Sequence, residues 1–145
     1  MTETVKATRR EWVGLVVLSV ACLVYSMDLS VLFLAIPSIV RELEPSAPQL
    51  LWMNDIYGFM VAGFLVTMGA LGDRIGRRKL LLIGAAAFAI TSIFAAMAQT
   101  AGMLIFARAL LGIAGATVAP STLSLIMNMF RDESERNRAI GVWGT

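Results

Sequence analysis

No histidine occurs in the 145 residues. Its absence removes the side chain that most readily carries protons near neutral pH and the commonest protein metal ligand, so any proton chemistry falls to carboxylates. Cysteine is nearly absent: Cys22 stands alone, which excludes an intrachain disulfide framework or a thiolate metal cluster and leaves that residue a packing role. Charge is scarce as well. Charged residues make up 15% of the chain, against about a quarter in an ordinary soluble domain. Hydrophobic residues make up 58%, and the mean hydropathy is +0.77. A water-soluble globular domain is excluded, and the chain reads as an all-α, polytopic membrane helix bundle.

The apolar residues fall in blocks at about 12–40, 50–71, 80–98 and 101–129, with a further block starting near Ala139. The first four are near or above the roughly 20 residues a helix needs to cross about 30 Å of hydrocarbon. The last reaches Thr145 after about two turns, too short to span, so the sequence is expected to be a piece of a longer protein. A basic stretch precedes the first block, as in a secretory signal, but that block is too long and lacks a small-residue cleavage site, so a permanent helix is expected. Pro37 and Pro120 both stand late in their blocks, three blocks apart, which hints at a repeat of three-helix units.

The formal net charge of +2 would suggest an acidic partner in a soluble protein. Here the bases lie in connections, where they set topology, and no nucleic-acid partner is expected. Lys6, Arg9 and Arg10 precede the first block; Arg74, Arg77, Arg78 and Lys79 lie in the second connection, and Arg131, Arg136 and Arg138 in the fourth. These three alternate segments are expected to face the cytoplasm, with residues 1–11 as a cytoplasmic tail and the chain multi-pass in the cell membrane, the inner membrane in a Gram-negative source. The opposite side receives Arg41 alone, and Arg108 lies within the fourth block.

Three charges sit at membrane depth. Counted from Val13 at about 1.5 Å per residue, Asp28 lies ~22 Å in, beyond the midplane; Asp55 is ~6 Å and Arg108 ~8 Å from the outer side. Unpaired charge at such depth costs several kcal/mol, so these residues need a partner or a wet cavity. One reading is an acid tuned for proton and cation exchange; the other is a structural ion pair, with snorkelling open to Asp55 and Arg108. Tyr25 precedes Asp28 by three positions and Trp52 precedes Asp55 by three, so each aromatic shares a helix face with its acid, a pairing suited to lipophilic cations. Trp52 equally fits an interfacial aromatic belt, and the nine methionines fit both adaptable binding surface and ordinary membrane packing. Gly58, Ala62 and Gly63, and later Gly112, Ala114, Gly115 and Ala116, allow close helix approach. In G-A-L-G-D-R-I-G-R-R-K, from Gly69 to Lys79, Gly69 and Gly76 permit sharp reversal, and Asp73 can pair with Arg77 or with a helix N-terminus, as a basic turn or a lockable latch.

That segment resembles the signature loop of the major facilitator superfamily, G-x-x-x-D-R-x-G-R-[RK]-[RK], through Gly69, Asp73, Arg74, Gly76, Arg77, Arg78 and Lys79. Arg108, Gly112 and Gly115 resemble its R-x-x-x-G-x-x-[GA] motif. M-D-L-S-V-L-F-L-A-I-P is similar to the D-x-T-[IV]-[VL]-x-x-A-[LI]-P element of fourteen-helix drug:proton antiporters, with Ser30 in place of threonine. The runs from Arg41 to Gly63 and A-P-S-T-L-S-L-I look like QacA-type antiseptic and multidrug efflux proteins. The resemblance implies residues 12–145 as an incomplete N-terminal six-helix domain of a proton-coupled carrier of lipophilic cations such as quaternary ammonium antiseptics and dyes. It implies cation binding at Asp28, Asp55, Tyr25 and Trp52, proton coupling at Asp28 and Arg108, and a conformational latch of Gly69, Asp73, Gly76, Arg77 and Arg78. It also implies the proton gradient as energy source without a bound cofactor or metal, and a monomer when full length. The antiporter motif expected in helix five is not found before Thr145.

Other readings weigh less. A channel needs a ring of acids or a pore loop, and neither pattern appears. An intramembrane enzyme would have a carboxylate pair alone to work with. A transport-incompetent membrane fragment with a structural or regulatory role is the alternative. The topology is directly testable: cysteines introduced at Ser46 and Arg78 are expected to react with impermeant reagents from the outer and cytoplasmic sides respectively, and cytoplasmic labelling at position 46 would overturn it.

Overall fold

The computed structural model describes residues 6–145, so the first five residues of the expected tail lie outside it. It is all-helical: α1 is Arg9–Leu43, α2 Ala47–Ile75, α3 Arg77–Ala96, α4 Ala101–Gly115, α5 Val118–Met129 and α6 Glu133–Trp143. Four segments are long and apolar enough to cross a membrane, namely α1, α2, α3 and the α4–α5 stretch taken together from Ala101 to Met129.

Three of these helices run past the apolar blocks, because polar residues cap or extend their ends. At the start of α1 the Glu11 carboxylate accepts from the Thr8 backbone N–H at 2.7 Å and from the Thr8 hydroxyl. The helix begins at Arg9 rather than near residue 12, its first orphan donor satisfied. Its far end runs to Leu43, where Glu44 turns left-handed (φ 43°) just before Pro45. Ser46 and Gln49 form a reciprocal cap on α2, with Gln49 Oε1 accepting from the Ser46 N–H at 2.9 Å and Ser46 Oγ from the Gln49 N–H at 3.4 Å. α2 therefore starts at Ala47 rather than near 50, and it runs on to Ile75 rather than 71. Gly76 alone joins α2 to α3, at φ 97°, a conformation that favours glycine. α3 accordingly starts at Arg77 rather than 80 and ends at Ala96 rather than 98.

The fourth block is not one continuous helix. It breaks at Ala116–Thr117, and Pro120 sits in the first turn of α5 rather than late in a helix. Proline lacks an N–H, and its ring clashes with the carbonyl four residues back, here that of Ala116. The break seats Thr117 directly over Gly84 of α3, where a Cβ would overlap its side chain. α6 begins at Glu133, six residues before the expected start near Ala139. Asp132 caps it, accepting from the Glu135 N–H at 3.0 Å, and Glu133 and Glu135 place negative charge at its N-terminus.

One end of the bundle is fastened. The Ala7 N–H donates to Glu135 at 2.6 Å, Trp12 meets Phe130 edge-on at 5.2 Å, and Leu15, Leu18, Ile126, Phe130 and Ala139 form a buried cluster. The chain start and the α5–α6 connection therefore share an end, which the Gly76 turn reaches by helix reversal. Ten of the twelve basic residues belong to these three segments. α4 packs most extensively against α2, and Gly112 permits it: a Cβ there would lie 2.6 Å from the Tyr57 carbonyl oxygen and 2.8 Å from Met60 Cβ. Gly112→Ala is expected to lower stability by ~1–3 kcal/mol because backbone must move. Gly58→Ala, with no atom within 4 Å, should leave stability unchanged or slightly raised. Thermal unfolding in detergent compares the two, and equal losses would overturn this account of the α2–α4 contact.

Candidate functional site

Arg108, Gly112 and Gly115 follow one another at helical spacing, so they form a stripe on one side of α4. Gly112 admits the α2 backbone. Gly115 admits aromatic rings: a Cβ there would lie 2.8 Å from Tyr25 Cε2 and 3.1 Å from the Tyr57 hydroxyl. With two neighbouring helices drawn this close, the Arg108 guanidinium sits only 3% exposed among groups from both. It donates to Asp28 Oδ2 of α1 at 2.5 Å and to the Met53 carbonyl oxygen of α2 at 3.3 Å. Its Cζ stands 4.5 Å from the centroid of the Tyr57 ring. Tyr57 in turn lies against Tyr25, their ring centroids 6.1 Å apart.

The chemistry of this arrangement is a charge pair with room for exchange. Asp28 neutralises Arg108, while a backbone carbonyl and an aromatic face hold the guanidinium independently of the acid. Arg108 NH2 and the Tyr57 hydroxyl are buried without hydrogen-bond partners among the described residues. A cleft of about 370 Å³ opens beside the pair between α1, α3 and α4, its walls including Asp28, Leu32, Ala35, Leu104, Arg108 and Leu111.

Of the residues singled out in the sequence, Asp28, Tyr25 and Arg108 come together. Asp55 and Trp52 do not join them. Asp55 stands two residues from both Met53 and Tyr57, about 180° round the helix from the face they share, and it is exposed. It lines a separate 220 Å³ recess with Trp52, Pro48, Leu51 and Phe59, where the Trp52 and Phe59 rings meet edge-on at 6.3 Å. The shared face of Trp52 and Asp55 is real, but it points away from Arg108. Tyr57 was not among the candidates. Its signal lies in the spacing Met53–Tyr57, four residues apart on one face, but only the approach of Arg108 shows that face to be the inner one.

The third group stands at the fastened end. Arg77 donates to Asp73 Oδ1 at 2.7 Å across the Gly76 turn, with the Asp73 side chain 71% exposed and that of Arg77 19%. The arginine stem lies close over Gly72, where a Cβ would come within 2.9 Å of its Cδ. Its Nε and NH1 are buried without partners among the described residues. Arg78 is exposed, and a Cβ at Gly69 would meet no atom within 4 Å.

The sequence matches the family described as Major Facilitator Superfamily over residues 18–145. It is 49% identical over 142 residues to the multidrug efflux pump LfrA of Mycolicibacterium smegmatis, covering 98% of this chain and 28% of that protein. It is 42% identical over 134 residues to the methyl viologen resistance protein SmvA of Salmonella typhimurium, covering 92% and 27%. With the puromycin resistance protein pur8 of Streptomyces alboniger it shares 36% identity over 135 residues, covering 93% and 27%. The chain thus spans a little over a quarter of the length of these curated relatives.

The buried pair can be measured. In a double-mutant cycle of Asp28→Asn and Arg108→Gln, followed by thermal unfolding in detergent, the coupling energy is expected at ~1–3 kcal/mol, with Asp28→Asn alone destabilising because it leaves Arg108 uncompensated. A coupling energy near zero would show that the two groups do not depend on each other.

Proposed function

This chain belongs to the Major Facilitator Superfamily, and from that membership we propose that it forms the N-terminal part of a proton-coupled multidrug efflux carrier of the QacA-like branch. The carrier exports lipophilic cations, including quaternary ammonium antiseptics and dyes. It works as a monomer in the cell membrane, with a cytoplasmic N-terminus and the proton gradient as its energy source. The relatives bear names of drug efflux or resistance proteins, and four apolar helices make the chain a multi-pass membrane protein. The single observation that carries the reading is the Asp28–Arg108 pair, a carboxylate beside a cleft that is held by an arginine with other partners of its own.

The exchange follows from competition for one carboxylate. Arg108, a proton or a lipophilic cation can each satisfy Asp28, and they cannot all do so at full strength at once. When a cation takes Asp28, the Met53 carbonyl and the Tyr57 face retain Arg108; when a proton takes it, the cation leaves. Tyr25 adds aromatic surface beside this exchange. Asp55 and Trp52 serve as a second, outward-facing contact for cations. The Asp73–Arg77 pair at the Gly76 turn, with Gly69 and Arg78, acts in the conformational cycle, remote from the cleft.

The test uses the complete reading frame that contains this chain. Cation affinity of the wild type in nanodiscs is expected to rise as pH is raised, since protons compete for the same carboxylate. Asp28→Asn should weaken cation binding at least ~10-fold and flatten its pH dependence, while Asp55→Asn should do less. Wild-type affinity and pH dependence in Asp28→Asn would reduce Asp28 to a structural partner of Arg108.

A further inference from the structure

Among the described residues, six buried side-chain polar atoms have no hydrogen-bond partner. Two belong to Arg77 at the Gly76 turn; the other four are Arg108 NH2, the Tyr57 hydroxyl, Ser121 Oγ and Ser19 Oγ. These four fall in one column that starts at the Asp28–Arg108 pair. The Tyr57 ring lies against Arg108, and its hydroxyl reaches the open face of Gly115 beside the Tyr25 ring edge. Farther toward the fastened end, Met129 of α5 covers Gly14 of α1, and Leu15 and Leu18 join Ile126 and Phe130. The two runs are therefore antiparallel. Six residues on from Gly115 and six back from Tyr25 bring Ser121 and Ser19 to one level, ~9 Å from the tyrosines by helical rise.

Hydroxyls in these helices ordinarily turn back on their own backbone. Ser26, Thr91 and Thr122 each donate to the carbonyl four residues behind, at 2.9, 2.7 and 2.8 Å. Ser19 and Ser121 do not. For Ser121, which is fully buried, that carbonyl belongs to Thr117, inside the break before α5. A buried hydroxyl without a protein partner is satisfied by ordered water. The side chains between the tyrosines and the serines are small, with Gly115 and Ala116 on one run and Cys22 on the other. A step of ~9 Å is the length of about three O–H···O hydrogen bonds, which about two waters complete. Beyond the serines the column ends on the apolar cluster of Leu15, Leu18, Ile126 and Phe130. On its other side Asp28 faces the cleft that runs along α1 to Glu42.

We propose that Tyr57, Ser121 and Ser19 hold a chain of buried waters that carries the proton between Asp28 and the fastened end, while the cation leaves Asp28 through the cleft. The inference rests on the exchange reading and adds to it the path by which the proton departs. In the discharge step the O–H bond of protonated Asp28 breaks as the nearest water takes the proton. Each hydroxyl and water then accepts a proton on one side and releases one on the other, so all of them end neutral. Asp28 is left as the carboxylate that Arg108 holds. Tyr25 and Cys22, the other titratable side chains on this stretch of α1, keep their charge throughout. The apolar cluster is the stop at the far end, and it parts when the fastened end opens.

The experiment uses the complete protein with tetraphenylphosphonium as the probe. Equilibrium binding across pH in nanodiscs, and proton-driven transport in proteoliposomes in H2O and D2O, are compared for the wild type, Ser121→Ala, Ser121→Cys and Thr91→Val. Ser121→Ala and Ser121→Cys are each expected to slow transport ~5-fold or more and to raise the solvent isotope effect, with binding and its pH dependence within about twofold of wild type. Cysteine nearly keeps the serine volume but hydrogen-bonds weakly, so it separates the hydroxyl from the packing. Thr91→Val removes a hydroxyl already tied to its own helix and should match the wild type in every measure. Wild-type transport by Ser121→Ala, or a rate loss without a rise in the isotope effect, would overturn the proposal. A fast Ser121→Cys beside a slow Ser121→Ala would mark packing as the cause, and joint loss of binding and rate would make Ser121 structural; either also overturns it. Binding by the wild type that does not change with pH would overturn the exchange reading itself.

Discussion

Arg108 carries five N–H donors and a permanent positive charge into a helix interface where almost none of it meets solvent. In hydrocarbon such a group must be answered by acceptors, and no single neighbour supplies enough of them. The answer is distributed: a carboxylate from α1, a main-chain carbonyl from α2 and the face of a tyrosine from α2. Each partner needs its helix to lie close to α4, and the two glycines that follow Arg108 on the same face make that approach possible. Charge satisfaction and helix packing are thus one constraint here.

The same constraint divides the bundle into unlike ends. Toward the chain start, α1 is bound by aromatic contact, a buried apolar cluster and a main-chain hydrogen bond to a glutamate. Beyond Asp28, α1 borders a cleft shared with α3 and α4 that continues to Glu42. One helix is therefore fastened at one end, borders the cleft beyond Asp28, and packs at its other end through Ile39 and Leu43 against Met53, Ala101 and Leu104. A rigid anchor at one end and an accessible carboxylate partway along suit an exchange in which local charge changes while the scaffold stays in place.

Depth was legible in the sequence, and direction was not. Helical rise puts Asp28 ~22 Å from one side and Arg108 ~8 Å from the other, which in a layer of about 30 Å is the same level, so their pairing is within reach of simple counting. Counting equally puts Asp55 in the outer half, yet it lies on the far side of α2, because a rise fixes height and leaves the angle about the axis to the neighbours. Tyr57 escaped notice for the same reason. The four spans follow from apolar length, whereas their ends are set by Thr8, Glu11, Ser46 and Gln49, polar residues that hydropathy counts against a helix. The start of α6 was written in the spacing of Asp132 and Glu135, a cap signal hidden in a charged stretch that resembles a loop. The break before α5 needed Pro120 to be weighed against the carbonyl four residues behind it.

The fastening between Ala7 and Glu135 joins positions 128 apart in the chain. During synthesis the start of the chain emerges before α5 and α6, so until those two helices are made the start of α1 lacks the partners it is fastened to. Closing so long a loop is entropically slow in a free chain, but insertion into a bilayer confines the intervening helices and brings the two ends to the same face. The clasp is therefore a late event in assembly, and it forms only once every intervening span has entered with the correct orientation. A missed or inverted helix would leave Trp12 and Phe130 on opposite sides of the membrane, with the start of α1 unclasped for the cell's quality control to find.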